Sequence, residues 1–276
     1  SNRSPLLWEM LNPAPVTDFR NRDNDQRIET ARKWFDENVS DLQFIHETNI
    51  MAPEECIPLW MNTFISPALF VFYHVPTYMA WIRQKEMTSV YEYIRLQLQI
   101  LQFRHPAKQW VIKNPDYMFA ADTLLRIFPD ACIVHILRDP VRSVPSLASL
   151  ATRLIELSSD QADIREISKE TIRYIRHSVC RFVEAREAGE SSSFYDIQYD
   201  ELVRNPAETI QKLYEHFGFA FNAGFEGWIR EWLAENRQHK HGKHRYSLEQ
   251  FGLDRETVRS AMEAYYRYFG LTDESS

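Results

Sequence analysis

"ACIVHILRDPVRSVPSLASLATRL", residues 131–154, changes its pattern at the middle. Ala131 to Leu137 is an apolar run broken only by His135, as a buried parallel strand requires. Asp139 is a good helix N-cap, and Pro140 suits the first helical position, where a missing N–H costs nothing. Strand therefore hands over to helix across Arg138, and the handover concentrates Arg138, Arg142, Ser143 and Ser146. Two cations and two hydroxyls in that turn raise the question of an anion.

The preceding stretch, "QWVIKNPDYMFAADTLLRIFPD" at 109–130, repeats the grammar. A short strand is predicted to end at Ile112; Lys113 follows, Asn114 caps, Pro115 starts a helix, and the helix stops before Pro129. Farther on, a long helix is predicted from about Gln161 to Ala188, then a strand over Phe194–Tyr199. Asn205 and Pro206 then open a helix that Gly218 ends. Strands alternating with helices predict an α/β fold, a parallel β-sheet flanked by helices.

Ligands of such sheets bind beyond the carboxyl ends of the strands. Those ends carry Lys113, Arg138 and Tyr199, next to helix N-termini whose free N–H groups favour anions. The expected ligand is a nucleotide phosphate. Ser146 lies about two helical turns beyond Arg138, so both face one phosphate only if the helix packs beside it. The alternative is a plain ion pair for Arg138, with Ser146 merely packing.

The rest of the chain bounds these readings. Its 276 residues, 44% of them hydrophobic, suffice for one large core, read as a single domain over 1–276. Pro13, Pro15 and the polar run from Thr17 to Asp25 predict a loop-rich start before a helix over Gln26–Asn38. A helical lobe at about 26–104 carries Trp60, Phe64, Tyr78, Trp81, Tyr91 and Tyr93, whose aromatic rings either pack the core or line an acceptor pocket. A net charge of −7 argues against a nucleic-acid-coating protein. Cys56, Cys132 and Cys180 are odd in number and far apart, which predicts neither disulfides nor zinc and fits a reducing, cytoplasmic setting. No signal peptide is evident, and the stretch Phe64–Val75 is too short to span a bilayer and is broken by Pro67 and His74.

One basic cluster stands out. "NRQHKHGKHRYS", residues 236–247, holds Arg237, Lys240, Lys243 and Arg245 with no acid between Glu235 and Glu249. It suits a second grip on a phosphate, or else a solvated loop. His239, His241 and His244 lack a local carboxylate or thiol to complete a metal site, and no metal is expected.

"VIKNPDYMFAADTLLRIFPDACIVHILRDPVRSVPSLASL", "YDELVRNPAETIQKLYEHFGF" and "HRYSLEQFGL", with "SPLLWEMLNPAP" and "APEECIPLW" upstream, resemble the bacterial-type sulfotransferases that use 3'-phosphoadenosine 5'-phosphosulfate. The resemblance covers nearly the whole chain in the expected order. It implies a P-loop NTPase-like sulfotransferase fold. It makes Arg138 and Ser146 ligands of the nucleotide's 3'-phosphate and puts Tyr199 against the adenine. Lys113 would lie near the sulfuryl group, with Lys243 and Arg245 closing over the nucleotide. The products would be a sulfated small-molecule, lipid or carbohydrate acceptor and adenosine 3',5'-bisphosphate, with no nucleic-acid partner and no integral membrane segment. One departure matters: the family's glycine-bearing phosphosulfate loop belongs upstream of "PLLWEM", and no Gly-Thr-Thr or GxxxxGK[ST] turn occurs. The N-terminal βα unit is therefore expected to be missing from this sequence.

Sulfuryl transfer resembles phosphoryl transfer, in which positioning and charge stabilisation do most of the work. Lys113 could stabilise charge on the leaving phosphate oxygen. Candidate bases are His46, then Glu55, then Glu54; a histidine has a suitable ordinary pKa, whereas a glutamate needs burial to raise it. Two alternatives stand beside the enzyme. A catalytically inactive nucleotide-binding module would keep the 3'-phosphate residues, and a P-loop kinase-like phosphotransferase would need a Walker lysine and a magnesium ligand.

Overall fold

The computed structural model describes residues 2–16, 24–38, 48–103, 106–189, 191–236 and 246–271. β1 (Asn2–Arg3) and α1 (Leu7–Leu11) occupy the stretch predicted to be loop-rich. Glu9 accounts for the difference. Its buried carboxylate pairs with Arg3 and accepts the Leu6 amide at 3.0 Å, while Arg3 stacks on Trp110. Trp8 and Met10 are 0% exposed, and burying such side chains contributes roughly 2–3 kcal/mol each.

α2 (Gln26–Asn38) has the predicted bounds, and the lobe continues through α3 (Ile57–Met61), α4 (Leu69–Phe72), α5 (Pro76–Ile82) and α6 (Thr88–Gln102). Its aromatics divide by exposure. Trp60 and Tyr91 meet edge to face at 5.2 Å within the core, while Phe64, Trp81 and Tyr93 face outward.

β2 (Gln109–Trp110) pairs in parallel with β1 and is shorter than the predicted strand. Asn114 then accepts the Asp116 amide at 3.0 Å, capping a 3-10 helix over Pro115–Ala120 that runs into α7 (Ala121–Ile127). β3 (Ile133–Leu137) leads into α8 (Pro140–Glu156), whose N-cap Asp139 accepts the Val141 amide at 2.9 Å. α9 (Ile164–Ala188) crosses back to β4 (Phe194–Gln198), which pairs in parallel with β3 from Ile133↔Phe194 to Leu137↔Gln198.

Among the described residues every strand ladder is parallel, as the α/β pattern predicted, but the strands form two pairs, β1–β2 and β3–β4. Burial of β3 follows the same division. His135 and Leu137 are buried, whereas Val134 and Ile136 are 42% and 46% exposed. The period of 2 therefore sends one half of this apolar run into the core and leaves the other half bare.

Five further α-helices follow among the described residues: α10 (Tyr199–Arg204), α11 (Pro206–His216), α12 (Ala223–Glu235), α13 (Arg255–Ala261) and α14 (Glu263–Phe269). Gly218, at φ +71°, ends α11 as its position predicted. Leu137, Val144 and Val179 pack with Val258, Met262 and Tyr265, joining α8, α9 and the C-terminal helices around the end of β3. No helix among the described residues is long and apolar enough to cross a membrane.

Candidate anion-binding cleft

Because Leu137 and Gln198 are register partners, Arg138 and Tyr199 leave the β3–β4 ladder side by side. The Arg138 guanidinium carbon lies 4.6 Å from the centre of the Tyr199 ring, a cation–π distance. Both line a cleft of about 180 Å³ with Leu137, Asp139, Arg142, Gln198, Asp200, Gly270 and Leu271. The Arg138 Nε is buried and has no hydrogen-bond partner. A buried guanidinium N–H without an acceptor is costly. With the first turn of α8 beside it, this donor set fits a phosphate oxygen.

Behind the cleft, Asp196 fixes the strand pair. Burial alone would raise its pKa, but hydrogen bonds from His135 and Arg186 outweigh that and hold the carboxyl below the usual range. His135 Nδ1 lies 3.2 Å from Asp196, and Arg186 reaches the same carboxylate at 2.6 Å. A histidine in an apolar strand is thus explained by a cross-strand acid.

Lys113 lies three residues beyond the end of β2, outside the residues that line this cleft. It is exposed and forms an ion pair with Glu55. The Cys56 amide donates to the Lys113 carbonyl at 2.8 Å, so the backbone also fastens the "PEEC" turn to the segment that follows β2. Glu54 accepts the Glu55 amide at 2.8 Å and has no such tie to Lys113. Three residues past Lys113, Asp116 is fully buried. Burial pushes its pKa up to about 7, against the lowering hydrogen bonds from the Tyr174 hydroxyl and the Ala68 amide.

The structure therefore brings two of the predicted strand-end residues, Arg138 and Tyr199, into one cleft, and it joins Lys113 to Glu55 elsewhere. Ser146 is half-buried on α8 and is not among the lining residues. His46, Lys243 and Arg245 lie outside the described residues. Sequence reasoning did not assign Arg142, although it stands one turn beyond Arg138 in the same motif. It had no signal for Gly270 and Leu271, which reach the cleft from the other end of the chain.

A family model described as "Sulfotransferase family" matches residues 3–223. The chain belongs to the sulfotransferase family. Among curated proteins it is similar to the omega-hydroxy-beta-dihydromenaquinone-9 sulfotransferase Stf3 of Mycobacterium bovis and of Mycobacterium tuberculosis, 27% identical over 144 residues in each case. That match takes in 52% of this chain and 37% of each relative, so the chain spans little more than a third of their length. Among solved structures, sulfotransferase STF9 from Mycobacterium avium superposes with a TM-score of 0.83 at 26% identity, over 100% of this chain and 72% of that one. Sulfotransferase STF1 from Mycobacterium tuberculosis H37Rv gives 0.80 at 26% identity, over 95% and 70%. These neighbours agree with the sulfotransferase fold expected from the sequence.

Proposed function

We propose that this sulfotransferase-family chain acts in the transfer of a sulfuryl group from 3'-phosphoadenosine 5'-phosphosulfate to the hydroxyl of a lipid-like acceptor. The observation that carries the reading is the unpartnered, buried Arg138 Nε in a cleft beside the Tyr199 ring and the first turn of α8. In this reading Arg138 holds the nucleotide's 3'-phosphate, Arg142 adds positive potential, and Tyr199 lies against the adenine. Ser146, Lys243 and Arg245 are further contacts of the nucleotide.

The donor supplies a sulfuryl group on a phosphate leaving group, and no metal is needed for that displacement. Lys113 stabilises charge on the leaving oxygen. Glu55 as the base is supported by its ion pair with Lys113, which would hold a carboxylate beside the reacting group. His46 and Glu54 remain the other base candidates. The lipid-like acceptor is supported by the Stf3 relatives, whose name gives an omega-hydroxy-dihydromenaquinone as substrate. Three free cysteines suit a reducing cytoplasm.

The test is incubation with ³⁵S-labelled donor and a hydroxyl-bearing quinol lipid, a simple carbohydrate and a phenol as separate acceptors. Label in the lipid product supports the reading. Label in the carbohydrate or phenol product alone overturns the acceptor class. Nucleotide binding with no transfer to any acceptor identifies a binding module instead.

A further inference from the structure

The Arg138–Asp139 turn is held from the far end of the chain. Tyr265 and Tyr266, adjacent on α14, are 4% and 7% exposed. Asp196 can only accept from His135 Nδ1, so Nδ1 carries a proton. The Tyr265 hydroxyl is hydrogen-bonded to the other ring nitrogen, Nε2, at 3.1 Å. His135 lies on β3, which ends at Leu137 immediately before Arg138. Tyr266 donates to Asp139 Oδ1, the oxygen that also caps α8 through the Val141 amide. Burial pushes both phenols far above their ordinary pKa, so both keep their protons.

The same helix ends against the cleft. Gly270 adopts φ +62°, and the Leu271 amide turns back to bond the Tyr266 carbonyl at 3.1 Å. That left-handed cap folds the chain so that Gly270 and Leu271 line the cleft. Residues 263–271 lie beyond the stretch 3–223 matched by the family model.

We infer that Tyr265 and Tyr266 are positioning residues for the anion site, fixing the end of β3 through His135 and the α8 cap through Asp139 so that the guanidinium between them meets a 3'-phosphate. The inference rests on the nucleotide reading of the cleft. A planar guanidinium gains its selectivity from fixed donor geometry. Tyr199 anchors the Arg138 side chain, and α14 anchors the strand end and the helix cap that flank it.

The test uses Tyr265→Phe, Tyr266→Phe and the double variant, which keep the rings and remove only the hydroxyls. Binding of adenosine 3',5'-bisphosphate and of 5'-AMP is measured by calorimetry. Hydrogen exchange of the 136–143 peptide is followed by mass spectrometry against α9 as an internal reference. The expected result is a preference for the bisphosphate reduced about tenfold, 5'-AMP affinity changed less than about twofold, and exchange at 136–143 about tenfold faster. If the double variant fails to fold, the single variants carry the same comparison. Unchanged preference in variants of a discriminating wild type, or unchanged exchange at 136–143, overturns the positioning role. A wild type that does not discriminate, with Arg138→Ala behaving like it, overturns instead the cleft reading on which the role rests.

Discussion

Arg138 and Tyr199 stand 61 positions apart in the sequence, yet the guanidinium carbon of one lies 4.6 Å from the ring centre of the other. Parallel register alone produces this meeting, because Leu137 and Gln198 are partners and the next residue on each strand leaves the sheet at the same edge. The pair gives the cleft a charged wall and a flat wall, as recognition of a phosphorylated nucleotide requires.

Replacing Arg138 by Lys is expected to preserve charge and still lose most of the discrimination. An ammonium lacks the planar fork and stacks poorly on the Tyr199 ring. Tyr199→Leu should weaken bisphosphate and 5'-AMP about equally, by roughly 1 kcal/mol or about fivefold, since a ring contact reads no phosphate. Parallel calorimetric titrations of both variants check the contrast.

Lys113 offers a separation of chemistry from stability. Its pair with Glu55 is largely exposed on the lysine side, and exposed pairs contribute only about 0–1 kcal/mol. Lys113→Ala is therefore expected to leave the unfolding midpoint within a few degrees while lowering the rate of sulfuryl transfer about a hundredfold. A thermal melt and single-turnover transfer on the same preparation give both numbers. A large loss of stability with an unchanged rate would assign Lys113 to structure.

Asp116 predicts a pH dependence of stability. Its carboxyl has an ordinary pKa of 3.8 and is raised by burial to about 7 in the folded chain. A raised folded pKa contributes stability that is complete below the unfolded value and is lost as pH rises toward and through 7. Wild-type stability should therefore fall between pH 5 and pH 8 relative to Asp116→Asn, which cannot ionise. The relative change should be on the order of a few kcal/mol, at ~1.4 kcal/mol per unit. Denaturation curves of the two proteins at several pH values test it, and parallel curves would count against a buried ionising Asp116.

Thiol labelling should follow burial. Burial drives the Cys56 thiol up to about 11, and the residue is 0% exposed, whereas Cys132 is exposed. Alkylation at pH 8 is expected to modify Cys132 and leave Cys56 intact until the chain unfolds. Peptide mapping before and after denaturant resolves the order.

Much of this site was legible where the signal is local. Asp139 with Pro140, Asn114 with Pro115 and Gly218 mark their helix ends in the structure as their side-chain chemistry predicts, because capping and proline geometry act within a few residues. Tyr199 was expected to close a strand and instead opens α10, a shift of one residue that still leaves it at the strand's carboxyl end. What the sequence could not convey depends on distant partners. β1 is only two residues long, and nothing local announces it. The Lys113–Glu55 pair spans 58 positions, while Tyr266 reaches Asp139 across 127 and Tyr265 reaches His135 across 130. His135 illustrates the boundary well: its presence in an apolar strand was visible, but the acid and the phenol that satisfy it were not.

The most direct test of the central claim is calorimetric titration of the chain with adenosine 3',5'-bisphosphate and with 5'-AMP, alongside Arg138→Ala. The anion-cleft account predicts that the wild type binds the bisphosphate at least about tenfold more tightly than 5'-AMP and that the alanine variant abolishes the difference. Equal affinity for the two nucleotides, or a preference that survives loss of the guanidinium, would contradict it.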